Sequence, residues 1–343
     1  MVVSSITYAS REEVKDAGFT AIQDQSVDRV LEAATRMIER TLGRKFYPTV
    51  ATRYFNWPIE PWGQPPYRLW VDGDLLSISA VTAGGSNITA NCLLEPHRFG
   101  PPYNRIEIDR DSSASFEAGQ RAVAVTGRWG YCEETAPIGT LVGDINNAVT
   151  TLVVSNSAHV GAGDLIFVDN EAMIVTDRAY AATTADSSGA DALDSDNALT
   201  FDAGEGALLN VGEVIEVESE RMLITSIVGD LVTVKRAWDG TILAAHGDNI
   251  AVSVPRSLTV VRGAYGTTPA AHTSTAAITK NVAPGLIREW CIAEAIVNLS
   301  QEGAAFGRTV GAGENERESS GAGLNRLAAQ AKDAYTRRRL GVI

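Results

Sequence analysis

One stretch of this sequence occurs twice, and the duplication limits the folds open to the chain. Residues 163–176 align without a gap with residues 212–225, and the two segments are identical at six of 14 positions. Both segments alternate apolar and polar residues with a period of two, which is typical of half-buried β-strands. Two copies of one small all-β module are therefore expected in the middle of the chain.

The end of the module also repeats. Residues 234–246 and 260–272 share an Arg, a Gly-Thr pair and a final His at equal spacing: Arg236, Gly240, Thr241 and His246 against Arg262, Gly266, Thr267 and His272. Residues 260–272 are not directly preceded by a further copy of the segment found at 163–176 and 212–225. We therefore predict nesting: an outer module of about 150–178 plus 257–279 carries an inner module of about 197–254 in its hairpin, entered through a linker at 181–196. Tandem modules with a truncated third are the alternative.

Charge and composition divide the chain at the same borders. Residues 139–283 carry 18 acidic and 7 basic side chains, whereas the rest of the chain carries 24 and 22. The acidic part is rich in Val, Ile, Thr and Gly and lacks a helical period, which indicates an all-β insert. We predict a frame in two parts, 1–138 and 284–343, around an all-β insert at 139–283.

The frame has helices at both ends. Ser10 and Glu13 form a capping-box pattern before a short helix, and a longer amphipathic helix, capped by Ser26, should end at Gly43. Helical periodicity returns after Pro284 and again over 324–335. Strands are predicted at 52–57, 68–71, 75–81, 105–109 and 121–128, with a hairpin turn at 72–74. The expected fold class is α+β: a small frame of helices and antiparallel sheet with an inserted all-β domain of two nested modules.

The repeat also decides how its polar residues are interpreted. His246 and His272 occupy equivalent positions, as do Glu171 and Glu220. A catalytic residue is rarely duplicated at equal spacing, so we interpret both pairs as structural, with the carboxylates meeting backbone amides or Arg262 and Arg236. The acidic residues of 186–205 fit a solvated linker better than a Ca²⁺ loop, because their spacing is not that of an EF-hand. No nucleotide, hydrolase or metal motif is present, and we expect neither enzyme activity nor a cofactor.

Several classes of protein are excluded by composition. The three cysteines are odd in number and widely spaced, which argues against a disulfide framework and fits a reducing cytoplasm. No apolar run is long enough to span a membrane, and residues 1–5 lack the pattern of a secretory signal. A net charge of −13 argues against a protein that grips nucleic acid over its whole surface.

Two C-terminal segments differ from the rest of the frame. Residues 303–323 are polar and glycine-rich, as expected of a loop that is mobile when free; the residues of interest are Gly311, Gly313, Glu314, Glu316, Arg317, Gly321 and Gly323. The chain closes with three arginines and an apolar end: Arg337, Arg338, Arg339, Leu340, Val342 and Ile343. This tail is either a frayed basic end or an arm that docks in a neighbouring acidic or apolar groove.

The frame resembles the head–tail connector (adaptor) proteins of long-tailed bacteriophages. The resemblance rests on the order of its segments: a helix running into Leu42-Gly43-Arg44-Lys45-Phe46, the strand residues 52–55, the run Gly127-Arg128-Trp129-Gly130-Tyr131 before a proline, and two C-terminal helices with a basic end. It covers about 6–137 and 284–343. In that family the proline that opens the next helix follows within about ten residues, whereas here the acidic insert separates the two.

The resemblance implies a structural role in the virion. It implies a homo-oligomeric ring, commonly of twelve copies, that is assembled in the host cytoplasm and lies in the neck between capsid and tail. The ring would dock on the portal protein, extend the DNA channel and support a tail terminator or stopper. Residues 311–323 would form an inter-subunit arm and residues 337–343 would dock on the portal. Double-stranded DNA would pass without specific binding, and no membrane is involved. Two alternatives remain: a tail-associated receptor- or carbohydrate-binding protein that uses its β modules, and a hydrolase without a recognisable motif.

Overall fold

The computed structural model of the chain describes residues 5–18, 22–58, 65–190, 193, 195–303, 309–310, 317–318 and 322–337. Four helices and an extensive antiparallel β-structure make up this part of the chain, which confirms the α+β class with a large all-β region. The helices are α1 (Arg11–Asp16), α2 (Asp24–Leu42), α3 (Gly285–Gly303) and α4 (Ala322–Tyr335).

The ends of the first two helices follow from local sequence. The Ser10 hydroxyl accepts from the Glu13 amide at 3.3 Å, and the Glu13 carboxylate accepts from the Ser10 amide at 2.8 Å. Both halves of the capping box are therefore present. Helix α2 begins at Asp24, two residues before the predicted cap Ser26, and its N-cap Gln23 makes no side-chain bond. It ends at Gly43, whose φ of 65° only glycine adopts readily.

Six strands form the sheet of the frame. They are β1 (Thr49–Trp57), β2 (Arg68–Ala83), β3 (Ser86–Asn87), β4 (Cys92–Glu95), β5 (Tyr103–Ile108) and β6 (Gly119–Trp129). The order is β1-β6-β2-β5-β4, with β3 paired to β2. One face is covered by a core that includes Trp57, Phe116 and Trp129.

The predicted hairpin at 72–74 is wrong, because β2 runs through it as one strand. Before the irregularity β2 pairs with β5, with Trp70 opposite Arg105, and after it β2 also pairs with β6, with Leu75 opposite Trp129. A Cβ on Gly73 would lie 1.9 Å from the Arg53 guanidinium, so a larger residue there would displace the end of that side chain. The turn-forming residues instead make a bulge, after which β2 gains β6 as a second partner beside β5.

The remaining long strands form one continuous ten-stranded sheet. They are β7 (Thr135–Val142), β8 (Thr151–Val154), β9 (Leu165–Val168), β10 (Glu171–Ser187), β11 (Ala198–Thr200), β12 (Val214–Val217), β13 (Glu220–Val228), β14 (Leu231–Trp238), β15 (Ile250–Val261) and β16 (Ala277–Asn281). A short ribbon of β17 (Thr309–Val310) and β18 (Arg317–Glu318) completes the described strands.

The pairings close this sheet into two small antiparallel barrels. The outer barrel is the ring β10-β9-β16-β7-β8-β15, closed where Ile174 of β10 lies opposite Val261 of β15. The inner barrel is the ring β13-β12-β15-β10-β11-β14, closed by the bridge between Ser187 and Phe201. Closure removes open strand edges, which otherwise promote aggregation.

The two barrels are built in the same register. In the inner barrel Leu223 lies opposite Lys235, and at the equivalent positions of the outer barrel Ile174 lies opposite Val261. The β13–β14 hairpin of the inner barrel corresponds to the outer pair β10–β15, and it is between those two strands that the inner barrel is inserted. The strand pairing thus has the topology of a nested module.

The joint between the barrels differs from the expected linker at 181–196. Strand β10 continues to Ser187, and β15 begins at Ile250, so one two-stranded ribbon passes from the outer barrel into the inner one. Strand β7 also crosses the predicted border at 138/139, since it starts at Thr135 and pairs with β16. The outer barrel therefore uses residues that composition alone assigned to the frame.

The helices and the outer barrel share one hydrophobic core. Residues of all four helices pack with Leu165, Ala172, Ile174 and Ala264 of the outer barrel. The inner barrel has its own core, formed wholly within 185–254. Among the described residues, the hydrophobic core of the frame therefore extends into the outer barrel, whereas the inner barrel has a separate core.

Candidate functional site: two equivalent buried Glu–Arg–His clusters

Glu220 is the centre of a buried cluster at the start of β13. Its Oε1 accepts from Arg236 Nε at 2.8 Å and from the Ala237 amide at 2.8 Å. Its Oε2 accepts from Arg236 Nη2 at 2.8 Å and from the Ala244 amide at 3.0 Å, and lies 2.9 Å from His246 Nε2. The Glu220 and Arg236 side chains are fully buried.

Glu171 repeats this arrangement at the start of the equivalent strand, β10. Its oxygens accept from Arg262 Nε and Nη2, each at 2.7 Å, and from the amides of Gly263 and Ala270 at 3.0 and 2.9 Å. His272 Nε2 lies 2.9 Å from Glu171 Oε2. The structure thus brings together all six repeat residues named from the sequence, three in each barrel.

A second carboxylate faces each histidine, and sequence reasoning missed it. His272 Nδ1 lies 2.8 Å from Asp169 Oδ2, and His246 Nδ1 lies 2.8 Å from Glu218 Oε2. Asp169 and Glu218 each occupy the turn before the cluster glutamate, with φ of 51° and 53°. The signal was available in the sequence, because both acids stand two residues before the cluster glutamate.

Each cluster ties two loops to a strand. The arginine of the outer cluster also donates to the carbonyls of Asn146 and Val149, at 2.9 and 2.8 Å, and that of the inner cluster to the carbonyl of Asp196 at 2.8 Å. A hydroxyl completes the pattern, since Thr267 and Thr241 each accept from a strand amide at 3.0 Å. Loop ends that would otherwise leave backbone groups unpaired are thereby satisfied.

The electrostatics favour permanent ionisation of the two glutamates. Burial raises the pKa of Glu171, but the hydrogen bonds from Arg262, the Ala270 amide and His272 outweigh it and lower that pKa to about 2. The same balance, with Arg236 as the main donor, lowers the pKa of Glu220 to about 2. A carboxylate whose oxygens are already occupied by an arginine, two backbone amides and a histidine has little capacity left to bind a substrate or take up a proton. The geometry supports a structural role.

A charged cleft of about 550 Å³ lies between α1 and the two barrels, and no sequence pattern pointed to it. Ion pairs cross it: Lys15 Nζ lies 2.9 Å from Asp239 of the inner barrel, and Arg178 Nε lies 3.0 Å from Glu12. On its wall, burial raises the pKa of Asp164 to about 6, against the opposing charge of Lys280. These contacts link the first helix to both barrels.

The basic tail is described only at its first residue. The Arg337 amide donates to the Leu42 carbonyl at 3.1 Å, and its guanidinium donates to the carbonyls of Asp72 and Val71. Arg337 thus rests on the frame of its own chain. Arg338, Arg339, Leu340, Val342 and Ile343 lie outside the described residues.

The glycine-rich arm is also described only in part. Gly311, Gly313, Glu314, Glu316 and Gly321 lie outside the described residues. Arg317 belongs to β18, which pairs with β17, and Gly323 lies in α4.

The described part of the chain contains neither a metal-binding cluster nor a membrane-spanning helix. No group of three or more His, Cys, Asp or Glu residues is arranged there to hold a metal ion. No described helix is long and apolar enough to cross a membrane.

Comparison of the chain with protein-family models, with curated proteins and with solved structures finds no match.

Proposed function

We propose that this protein is a structural head–tail connector of a long-tailed bacteriophage, an oligomeric ring that docks on the portal, extends the DNA channel and supports the tail or stopper. The proposal rests on the segments that carry the resemblance and on how they meet in the fold. In this proposal the frame forms the ring, and the two barrels are attached at the periphery of the ring.

One observation carries the proposal: residues from three of the resembling segments converge on one point. Phe46 follows the helix α2, Tyr131 follows the strand β6, and Tyr335 ends the last helix α4. Their ring centroids lie 5.3 to 5.5 Å apart, all in edge-to-face geometry. Between Tyr131 and Tyr335 the chain makes both barrels, so the order of the segments is preserved in space despite the insert.

The position of Arg337 supports a docking tail. Arg337 is hydrogen-bonded to Leu42, Asp72 and Val71, so the last described residue of the chain is held beside the β2 bulge. Arginines there can pair with portal carboxylates in bidentate geometry. Repetition around a ring then turns a weak single contact into firm attachment.

Removal of residues 338–343 tests this proposal while leaving Arg337 in place. We expect the melting temperature to stay nearly unchanged and co-assembly with the portal, followed by native mass measurement, to be lost. Changing Arg338 and Arg339 to Gln should weaken co-assembly, whereas the matched change of exposed Arg98 and Arg110 should not. Undiminished assembly of the truncated chain with the portal would contradict the docking role.

A second candidate, a tail-associated receptor- or carbohydrate-binding protein, is favoured by the tip of the inner barrel. Val228 and Leu231 flank the β13–β14 turn and are 71% and 45% exposed, and Leu208, whose helical turn packs on that hairpin, is 41% exposed. Exposed apolar patches often mark binding surfaces. Binding of host-cell envelopes that is lost in Val228→Ser, in a protein that forms no ring, would favour this candidate.

A further inference from the structure

A depression of about 480 Å³ lies where the end of α2, the β2 bulge and Arg337, which follows α4, meet. We call it the basic groove. Six of its lining residues are cationic: Arg36, Arg40, Arg44, Lys45, Arg53 and Arg337. Only three are anionic, namely Glu39, Asp72 and Asp74. This local excess of positive charge stands in a chain whose net charge is −13.

The acidic residues of the groove do not use up its donors. Arg44 lies 3.1 Å from Asp74 and Arg36 lies 2.6 Å from Glu39, and Arg36 also donates to the Ile6 carbonyl, so these two cations already have partners within the chain. Arg40 and Lys45 are exposed and form no ion pair with any described residue. Donors and positive charge therefore remain available to a ligand.

The arginines are held in place before any ligand arrives. The Arg53 guanidinium stacks 4.0 Å above the Trp129 ring, and that of Arg44 lies 4.7 Å from the centre of the Tyr131 ring. Burial lowers the pKa of Arg53, and the neighbouring charge of Arg337 lowers it further against the pull of Asp72. Fixed cations that repel one another favour an anion between them.

The dipole of α2 explains only part of this cluster. Cations in the last turn of a helix are favourable, each by about 0.3–1 kcal/mol, and this accounts for Arg40 and Arg44. Arg53 comes from β1 and Arg337 follows α4, so neither belongs to that helix. Three separate elements thus deliver cations to one depression.

We propose that the basic groove binds a phosphate group, either free inorganic phosphate or a phosphodiester of double-stranded DNA. Guanidinium forks match the oxygen geometry of phosphate, and rigidly held arginines lose little entropy on binding it. The groove lies within a single chain, so this inference goes beyond the connector function and does not require a ring.

The test compares two double variants of equal charge in the full-length protein. Arg40→Gln/Lys45→Gln removes exposed cations of the groove, and Arg98→Gln/Lys235→Gln removes exposed cations elsewhere. Titration calorimetry with sodium phosphate at constant ionic strength measures the free ion, and fluorescence anisotropy with a short labelled duplex measures the phosphodiester. The groove variant should lose roughly tenfold in affinity, about 1.4 kcal/mol, while the control stays near the unaltered protein.

The pattern of losses identifies the source of the phosphate. Weaker binding of both ligands by the groove variant supports the proposal with DNA as the source, and weaker binding of the free ion alone supports it with inorganic phosphate as the source. The proposal is overturned if the unaltered protein binds neither ligand, or if both double variants lose affinity equally. Lys45→Arg, which keeps the charge, should retain binding in either supporting case.

Discussion

At the scale of single residues, each barrel depends on one buried glutamate. Glu171 and Glu220 each accept two N–H groups of a buried arginine and two backbone amides. A buried ion pair contributes little compared with a well-packed apolar pair, but removal of one partner leaves the other charge uncompensated. The intact cluster therefore adds little net stability, whereas loss of one of its members is strongly destabilising.

Replacement of Glu220 by Gln should destabilise the inner barrel strongly. The variant keeps the shape of the side chain but removes its charge and points an NH₂ group at existing donors. We expect a loss of about 3–5 kcal/mol in the free energy of unfolding, measured by urea denaturation. The exposed residue Glu117, changed to Gln, serves as the control and should leave stability within about 0.5 kcal/mol. Equal effects of the two substitutions would contradict the structural role of the cluster.

The same glutamates predict the acid sensitivity of the fold. Their folded pKa of about 2 lies below the unfolded value of about 4.3, so the stability that they contribute is complete above about pH 5 and is lost as the pH falls toward 2. Asp164, with its raised pKa, acts in the opposite direction between about pH 4 and 6. Urea midpoints should therefore fall steeply between pH 4 and pH 2, and the Glu220→Gln protein should lose less over that interval. A flat profile in the unaltered protein would contradict these pKa values.

At the scale of elements, the sequence predicts the structure correctly where one local pattern decides the conformation. The capping box at Ser10, the stop at Gly43 and the pairing of Glu171 with Arg262 all follow from short spacings or from the repeat. The hairpin predicted at 72–74 is wrong, because Asp-Gly-Asp suits a bulge as well as a hairpin. The bulge forms because β2 pairs on both sides with β5 and β6, which are distant in sequence.

Helix α4 offers a test of how the frame is closed. Tyr335 packs edge-to-face on both Phe46 and Tyr131. Because Tyr335 is only half-buried, its change to Ala should cost about 2 kcal/mol in the free energy of unfolding. Tyr335→Phe keeps the ring and is the matched control, expected to be nearly neutral in a thermal melt. A Tyr335→Ala protein as stable as the control would show that α4 is not anchored by these rings.

At the scale of the whole molecule, charge and composition predict only approximate borders between the frame and the insert. The acidic insert and the frame share a core around Leu165, Ala172 and Ile174, and β7 crosses the border. Charged residues lie mostly on the surface, so their distribution along the sequence does not indicate that the frame and the outer barrel share a core. The basic groove was hidden for a related reason, since its cations come from three separated segments.

Fragments of the chain test the two-barrel architecture. Residues 180–256 contain every residue of the inner core and should give a cooperative all-β melt by circular dichroism. Residues 139–283 should also fold, but with a lower melting temperature than residues 134–283, because the longer fragment restores the start of β7. A disordered inner-barrel fragment, beside a folded full-length chain, would contradict an independent inner barrel.

The most direct test of the proposed connector function is the position of the protein in an intact virion. Electron cryomicroscopy of the particle neck should show a ring of copies, near twelve in number by the family resemblance, between portal and tail. The frame should line the channel, with a pair of small barrels attached to each copy. Density for the two barrels at the tail tip, or a neck without this chain, would contradict the account and favour the receptor-binding alternative.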